Sequence, residues 1–182
     1  MKRKQFLLTT MAAMPAIAFA KVAAKVSGTN EPFIVKAGNN RSGEPMMKFM
    51  GMHPNDVIVS AKDTGKALSV FLFTGYGNVG TPLHVHYHQD EFFTIIEGKY
   101  RFVFGESNSE LNTGDTIFLP RNIPHQWLQL SENGKLIYAV NPAGELEDFF
   151  KEANNLNEPT PEAIDKLALK HGMRHLGPPL TR

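Results

Sequence analysis

From Asp56 to Val140 the chain is a series of short apolar segments, each closed by turn residues. Val57-Ile58-Val59 leads into Asp63-Thr64-Gly65, and Leu68 to Thr74 ends in Gly75-Tyr76-Gly77. Leu83 to His86 comes next, then Glu91 to Glu97, which stops at Gly98, and Tyr100 to Phe104, which stops at Gly105. Thr116 to Leu119 lies between Gly114-Asp115 and Pro120, and His125 to Leu130 and Leu136 to Val140 complete the series. Segments this short can bury themselves only by pairing side by side. Their regular spacing predicts an all-β sandwich or barrel.

The flanks read differently. After Asn141 the apolar period lengthens: Leu146, Phe149, Phe150 and Ala153 fit one short amphipathic helix. Pro161 to His171 fits a second, with Thr160 as N-cap, Pro161 at the first helical position, Glu162 in the first turn and Gly172 as the stop. Gly177-Pro178-Pro179-Leu180 reads as extended. On the other side, Lys21 to Met52 carries little pattern beyond Phe33-Ile34-Val35 and is expected to be an extended arm that adds at most one edge strand. Its methionines, Met46, Met47, Met50 and Met52, read as packing residues rather than a soft-metal site.

Residues 1–20 have the layout of an export signal. Lys2, Arg3 and Lys4 precede an uncharged apolar stretch from Phe6 to Ala20, too short for a comfortable membrane span, that ends Ala18-Phe19-Ala20. Arg3-Lys4 ahead of Gln5-Phe6-Leu7 resembles a twin-arginine signal with lysine in second place, and an ordinary secretory signal is the simpler reading. The expected organisation is a signal peptide over 1–20, an arm over 21–52, a β-barrel over 53–145, and helices with a tail over 146–182. The expected location is periplasmic or secreted. Removing residues 1–20 takes away three basic and no acidic residues, so the net charge moves from +1 to −2. Neither value suits a general nucleic-acid binder. The absence of cysteine excludes disulfides and thiolate metal ligation.

Histidine placement carries the chemistry. His84 and His86 lie two apart on a strand segment, so they share a face. Two imidazoles aimed into a barrel need a partner, because burying unpaired polar groups is costly. Tyr87-His88-Gln89-Asp90 can turn the chain so that an antiparallel strand returns Glu91 beside them, and Pro120 to Pro124 can present His125 to the same point. Three neutral imidazoles and a carboxylate suit one divalent transition metal, with iron, manganese, nickel, cobalt, copper and zinc all chemically tolerable. Hydrogen-bonded core residues without a metal are the alternative. His53, His171 and His175 have no comparable partners and read as surface or packing residues.

The stretch from Gly80 through His84, His86 and Glu91 to Gly98 resembles the first cupin motif, and Gly114, Pro120 and His125 resemble the second. Together with the strand pattern, the likeness runs from about Val57 to Asn141 and implies a double-stranded β-helix, or jelly roll, with short C-terminal helices. Asn122 stands where glycine is frequent, and asparagine tolerates the left-handed conformation such a turn needs. Gly80 to His86 also keeps five intervening residues, so His86 with His88 is a competing pair, but Glu91 would then follow too closely for the usual turn.

The wording Pro-Leu-His-Val-His, then Asp-Glu-Phe-Phe, then Phe-Leu-Pro-Arg-Asn-Ile-Pro-His is similar to quercetin 2,3-dioxygenase-like cupins. That resemblance implies a metal-dependent dioxygenase acting on a flavonol-like or other enolisable substrate. His84, His86 and His125 would be ligands, and Glu91 both ligand and general base. By strand alternation Phe93 shares a face with Glu91, and Trp127 with His125, so both are expected in the substrate pocket. Phe71, Phe73, Tyr100, Phe102 and Phe104 offer further walls or simply fill the core. The competing functions are a non-catalytic small-ligand-binding cupin of the cell envelope and a cupin isomerase or decarboxylase. The expected partners are a small organic molecule and dioxygen, with no nucleic acid and no stable membrane span. A homodimer is compatible with the arm.

Overall fold

Strands form here because every second side chain has somewhere dry to go. The computed structural model describes residues 28–43, 48–49 and 51–182; the expected signal peptide, 1–20, and Met46, Met47 and Met50 lie outside the described residues. In chain order the elements are β1 (Lys48–Phe49), β2 (His53–Val59), β3 (Ser69–Tyr76), β4 (Pro82–His86), β5 (Asp90–Glu97) and β6 (Lys99–Phe104). Then come β7 (Ser107–Asn112), β8 (Thr116–Leu119), β9 (His125–Gln129), β10 (Asn133–Asn141), α1 (Leu146–Asn154), α2 (Pro161–Lys170) and β11 (Met173–Pro179). In β3, Ser69, Phe71, Phe73 and Gly75 are buried and alternate with more exposed residues, the signature of a half-buried strand.

The strands make two antiparallel sheets, β1-β2-β3-β10-β5-β8 and β11-β4-β9-β6-β7, in the jelly-roll arrangement expected. Their inner faces share one aromatic core in which Phe71, Phe73, Phe93, Tyr100, Phe102 and Trp127 are each nearly or fully buried. The chain entering β4 comes close to β9 where Gly80 bridges to Leu128; a Cβ on Gly80 would collide with the Trp127 carbonyl.

The helices close one end of this barrel. Helix α1 buries Leu146, Phe149 and Phe150, and its Glu147 carboxylate accepts from Ser60 Oγ (2.8 Å), the Ala61 N–H (2.6 Å) and Ser69 Oγ (2.5 Å). Thr160 caps α2 by accepting from the Ala163 N–H (3.2 Å), with Pro161 at its start. Lys170 on α2 pairs with Glu152 on α1 (2.6 Å), and His171, buried at the end of α2, lies 3.2 Å from Glu145 and 3.3 Å from Glu152. Among the described residues no helix is long and apolar enough to cross a membrane.

Two strands were not legible in the sequence. Strand β7 is wholly polar apart from Leu111 and pairs with β6, where Glu110 takes ion pairs from Lys99 and Arg101. Strand β11 runs through Gly177 and two prolines, yet pairs with β4 along the sheet edge, where a missing N–H costs least. The arm's edge strand is β1. Phe33-Ile34-Val35 forms no strand; the Phe33 ring lies under the Arg41 guanidinium, 3.8 Å from its centroid, and Arg41 is itself held by two bonds to Asp63 (2.9 and 2.7 Å).

Candidate metal centre and cavity

Strand β4 turns His84 and His86 to the barrel interior, where both are buried. The next three residues form the turn, and Asp90 anchors its far side through three hydrogen bonds from Arg121, from the backbone N–H (2.9 Å) and the guanidinium (3.0 and 2.7 Å). These bonds and the Arg121 charge hold the Asp90 carboxyl down at about 2. Glu91 is then the first inward residue of β5 and is 4% exposed. His125 opens β9 directly opposite His84 in the ladder. Asn122 takes the left-handed conformation (φ 67°), and its N–H donates to the His86 carbonyl (2.8 Å), which folds the Pro120–Pro124 loop against β4.

The four side chains converge. One ligating atom from each of His84, His86, Glu91 and His125 lies within 4.8 Å of the others. Each imidazole is held by its outer nitrogen. The Nδ1–H of His84 donates to the Pro82 carbonyl (2.8 Å), that of His125 to the Ile123 carbonyl (2.9 Å), and that of His86 to Gln89 Oε1 (3.1 Å). Gln89 is fixed in turn because its Nε2 donates to the Ala143 carbonyl (2.7 Å). Carbonyl oxygens only accept, so the proton sits on Nδ1 and the Nε2 lone pair faces the cluster. Glu91 Oε2 lies 3.1 Å from His125 Nε2 and 3.6 Å from His86 Nε2.

Burial pushes the His84 imidazole well below its ordinary value, helped by the neighbouring His125 and His86, and burial likewise lowers His86. Both are therefore neutral near pH 7, which is the ligating form. Three imidazole nitrogens and a carboxylate facing one point form a donor set that a divalent ion would complete. The donor set fits a transition metal, and the outer hydrogen bonds are the kind that orient metal-binding imidazoles.

The cluster opens into a cavity of about 560 Å³. Phe93 and Trp127 both line it, and Phe73 and Tyr138 complete the barrel wall. Helix α1 contributes Phe149 and Phe150 from the other side. Phe71, Tyr100 and Phe102 instead pack in the core behind that wall. His88 is exposed and stands apart from the cluster. His53 accepts from the Tyr76 N–H (3.3 Å), a packing role, as expected.

His175 departs from the expectation of a residue without partners. It lines the cavity, its ring centroid lies 6.4 Å from that of His84, and its Nδ1 is 2.6 Å from Asp165 Oδ1. It gets there because β11 pairs His175 with His84, a contact between distant segments that no local pattern reveals. Asn55 carries no signal in its own segment. It is fully buried on β2, faces the same cavity, and accepts a hydrogen bond from the Tyr138 hydroxyl (2.9 Å).

Residues 75–140, which hold all four clustered side chains, match the family model for the cupin domain. That stretch is a cupin domain. Over 97 residues this cupin is 27% identical to a quercetin 2,3-dioxygenase of Bacillus subtilis, a match covering 53% of the chain and 29% of that protein. It is 37% identical over 46 residues to an uncharacterised protein of Methanocaldococcus jannaschii, covering 25% of the chain and 37% of that protein. The cupin thus spans about a third of the length of the curated relatives it matches. Among solved structures, that of KdgF from Halomonas sp. superposes with a TM-score of 0.50 at 12% identity, covering 59% of the chain and 94% of the other; this likeness is one of fold.

Proposed function

We propose that this cupin binds one divalent transition metal through His84, His86, Glu91 and His125 and oxygenates a flat, enolisable aromatic substrate of flavonol type. The observation that carries the reading is the convergence of three Nε2 lone pairs and the Glu91 carboxylate on one point at the wall of an aromatic cavity. The similarity to a quercetin 2,3-dioxygenase supports the substrate class. When bound, the metal supplies Lewis acidity toward a substrate hydroxyl and a path for electrons to dioxygen.

The chain's own residues do the rest. The carboxylate of Glu91, which lines the cavity, takes the proton from the enolic hydroxyl. Phe93 and Trp127 flank the planar ring and set its orientation. Phe149 and Phe150 of α1 cover the cavity and keep water from the deprotonated substrate. Oxygen uptake with quercetin on metal-loaded protein tests the reading. Uptake by the wild type and its loss in Glu91→Gln with metal retained support it. Tight binding of quercetin, recovered unchanged, would instead make the protein a binding cupin.

A further inference from the structure

The cavity has a second polar end that the metal cluster does not use. On the inner face of the larger sheet Glu91 pairs with Val140, and two residues along the same ladder Phe93 pairs with Tyr138. At about 3.3 Å per residue, Tyr138 lies one tier, about 7 Å, from the Glu91 level. Tyr138 is opposite Phe71 on β3, and Asn55 is opposite Phe73, one tier further. The Tyr138 ring is clamped between Phe71 (centroids 4.7 Å apart, 8° between planes) and Phe93 (5.4 Å, 20°), and its hydroxyl reaches Asn55 Oδ1 at 2.9 Å. Asn55 is 0% exposed to solvent, and its Nδ2 has no hydrogen-bond partner. A buried amide without a partner is costly, and Asn55 is one of the residues that line the cavity.

We propose that Asn55 and Tyr138 form a second anchor that reads a neutral hydroxyl on an aromatic ligand, at the end of the cavity remote from Glu91. The pair offers one free donor, Asn55 Nδ2–H, and one free acceptor, the lone pairs of the Tyr138 oxygen. A hydroxyl satisfies both, accepting from the amide and donating to the phenol. Turning the Asn55 amide over changes nothing: Nδ2 then donates to Tyr138, and the phenol O–H and Asn55 Oδ1 become the free donor and acceptor. Burial pushes the Tyr138 phenol well above its ordinary range, so both groups are neutral. A phosphate or carboxylate would meet no counter-charge from this pair. The ligand so described is flat and carries one hydroxyl at Glu91 and another about 7–13 Å away, one to two tiers along the strands.

The Glu91 end rests on the proposed function; the far anchor does not, so the test separates them. Binding is measured by equilibrium dialysis on full-length, chelator-treated protein with two matched pairs: quercetin against 3-hydroxyflavone, and 4-hydroxybiphenyl against biphenyl. The wild type is expected to favour the hydroxylated member by about five- to tenfold, the effect of one or two buried hydrogen bonds. Tyr138→Phe keeps the ring stack and is expected to bring the ratio close to one without changing binding of the parent compounds. Asn55→Leu is expected to do the same and carries the test if the first variant is poorly folded in thermal unfolding. Discrimination within the biphenyl pair, with neither flavonol bound, would uphold the anchor and sink the flavonol reading. An unchanged ratio in the variants, an equal loss for both members of a pair, or no binding of either pair would overturn the anchor.

Discussion

Gln89 is the most informative residue to change outside the cluster itself. It is buried, accepts from His86 Nδ1 at 3.1 Å and donates to the Ala143 carbonyl at 2.7 Å, so it ties one proposed ligand to the segment that leads into α1. Gln89→Leu keeps the volume and removes both bonds. It strands the His86 Nδ1–H and the Ala143 carbonyl, each at about 1–3 kcal/mol, for a loss of about 2–6 kcal/mol before the added apolar burial offsets part of it. It also frees the His86 ring to rotate or change tautomer, and loss of such an orienting partner lowers metal affinity by about 10–100-fold. Gln89→Glu restores an acceptor for Nδ1 and should recover most of the affinity while still lacking the bond to Ala143. Competition against a chromogenic chelator reads the affinity, and thermal unfolding with and without metal reads the stability. Equal metal affinity in wild type and Gln89→Leu, alongside the expected drop in stability, would refute the idea that Gln89 orients a ligand.

Phe150→Ala should cost about 3 kcal/mol, the low end for a buried phenylalanine because one side of the ring already borders the cavity, and should weaken aromatic ligands; denaturant unfolding and equilibrium dialysis check both. The metal-free protein should lose stability as pH falls below 6.5. His84 and His86 have folded values below 6.5, so in that range the unfolded chain binds protons that the fold refuses; their contribution is complete above 6.5 and is lost progressively as pH falls toward their folded values. Urea unfolding in chelator at pH 7.5, 6.5 and 5.5 measures this, and stability that rises toward acid pH would contradict it. Metal should flatten the dependence until the ligands are protonated off the ion.

The β-barrel was readable because its strands alternate. Phe71 and Phe73, or Phe93 and Ile95, fall on one face by counting alone, and His84 and His86 do so for the same reason. The cluster was readable because its members sit beside turn signals: Gln89-Asp90 before Glu91 and the two prolines before His125. What escaped depends on contacts between distant segments. Ser107–Asn112 has no apolar alternation, since its outer face meets water and charge from β6 holds it. His175 and Asn55 each look ordinary in their own segment. His175 enters the cavity only because the C-terminal strand returns to β4, and Asn55 only because β2 lies two strands from Tyr138, within reach of its ring. The helix caps show the opposite case: Thr160 and Pro161 act within one turn and were legible locally.

The claim that His84, His86, Glu91 and His125 hold a metal is tested most directly by stoichiometry. Purified protein is loaded with each candidate divalent ion in turn, dialysed, and its metal content determined by elemental analysis beside His84→Ala/His86→Ala. One equivalent per chain in the wild type and none in the double variant, with both folded, is the predicted result. A folded wild type that retains no metal from any of the ions, or a double variant that retains a full equivalent, would contradict it.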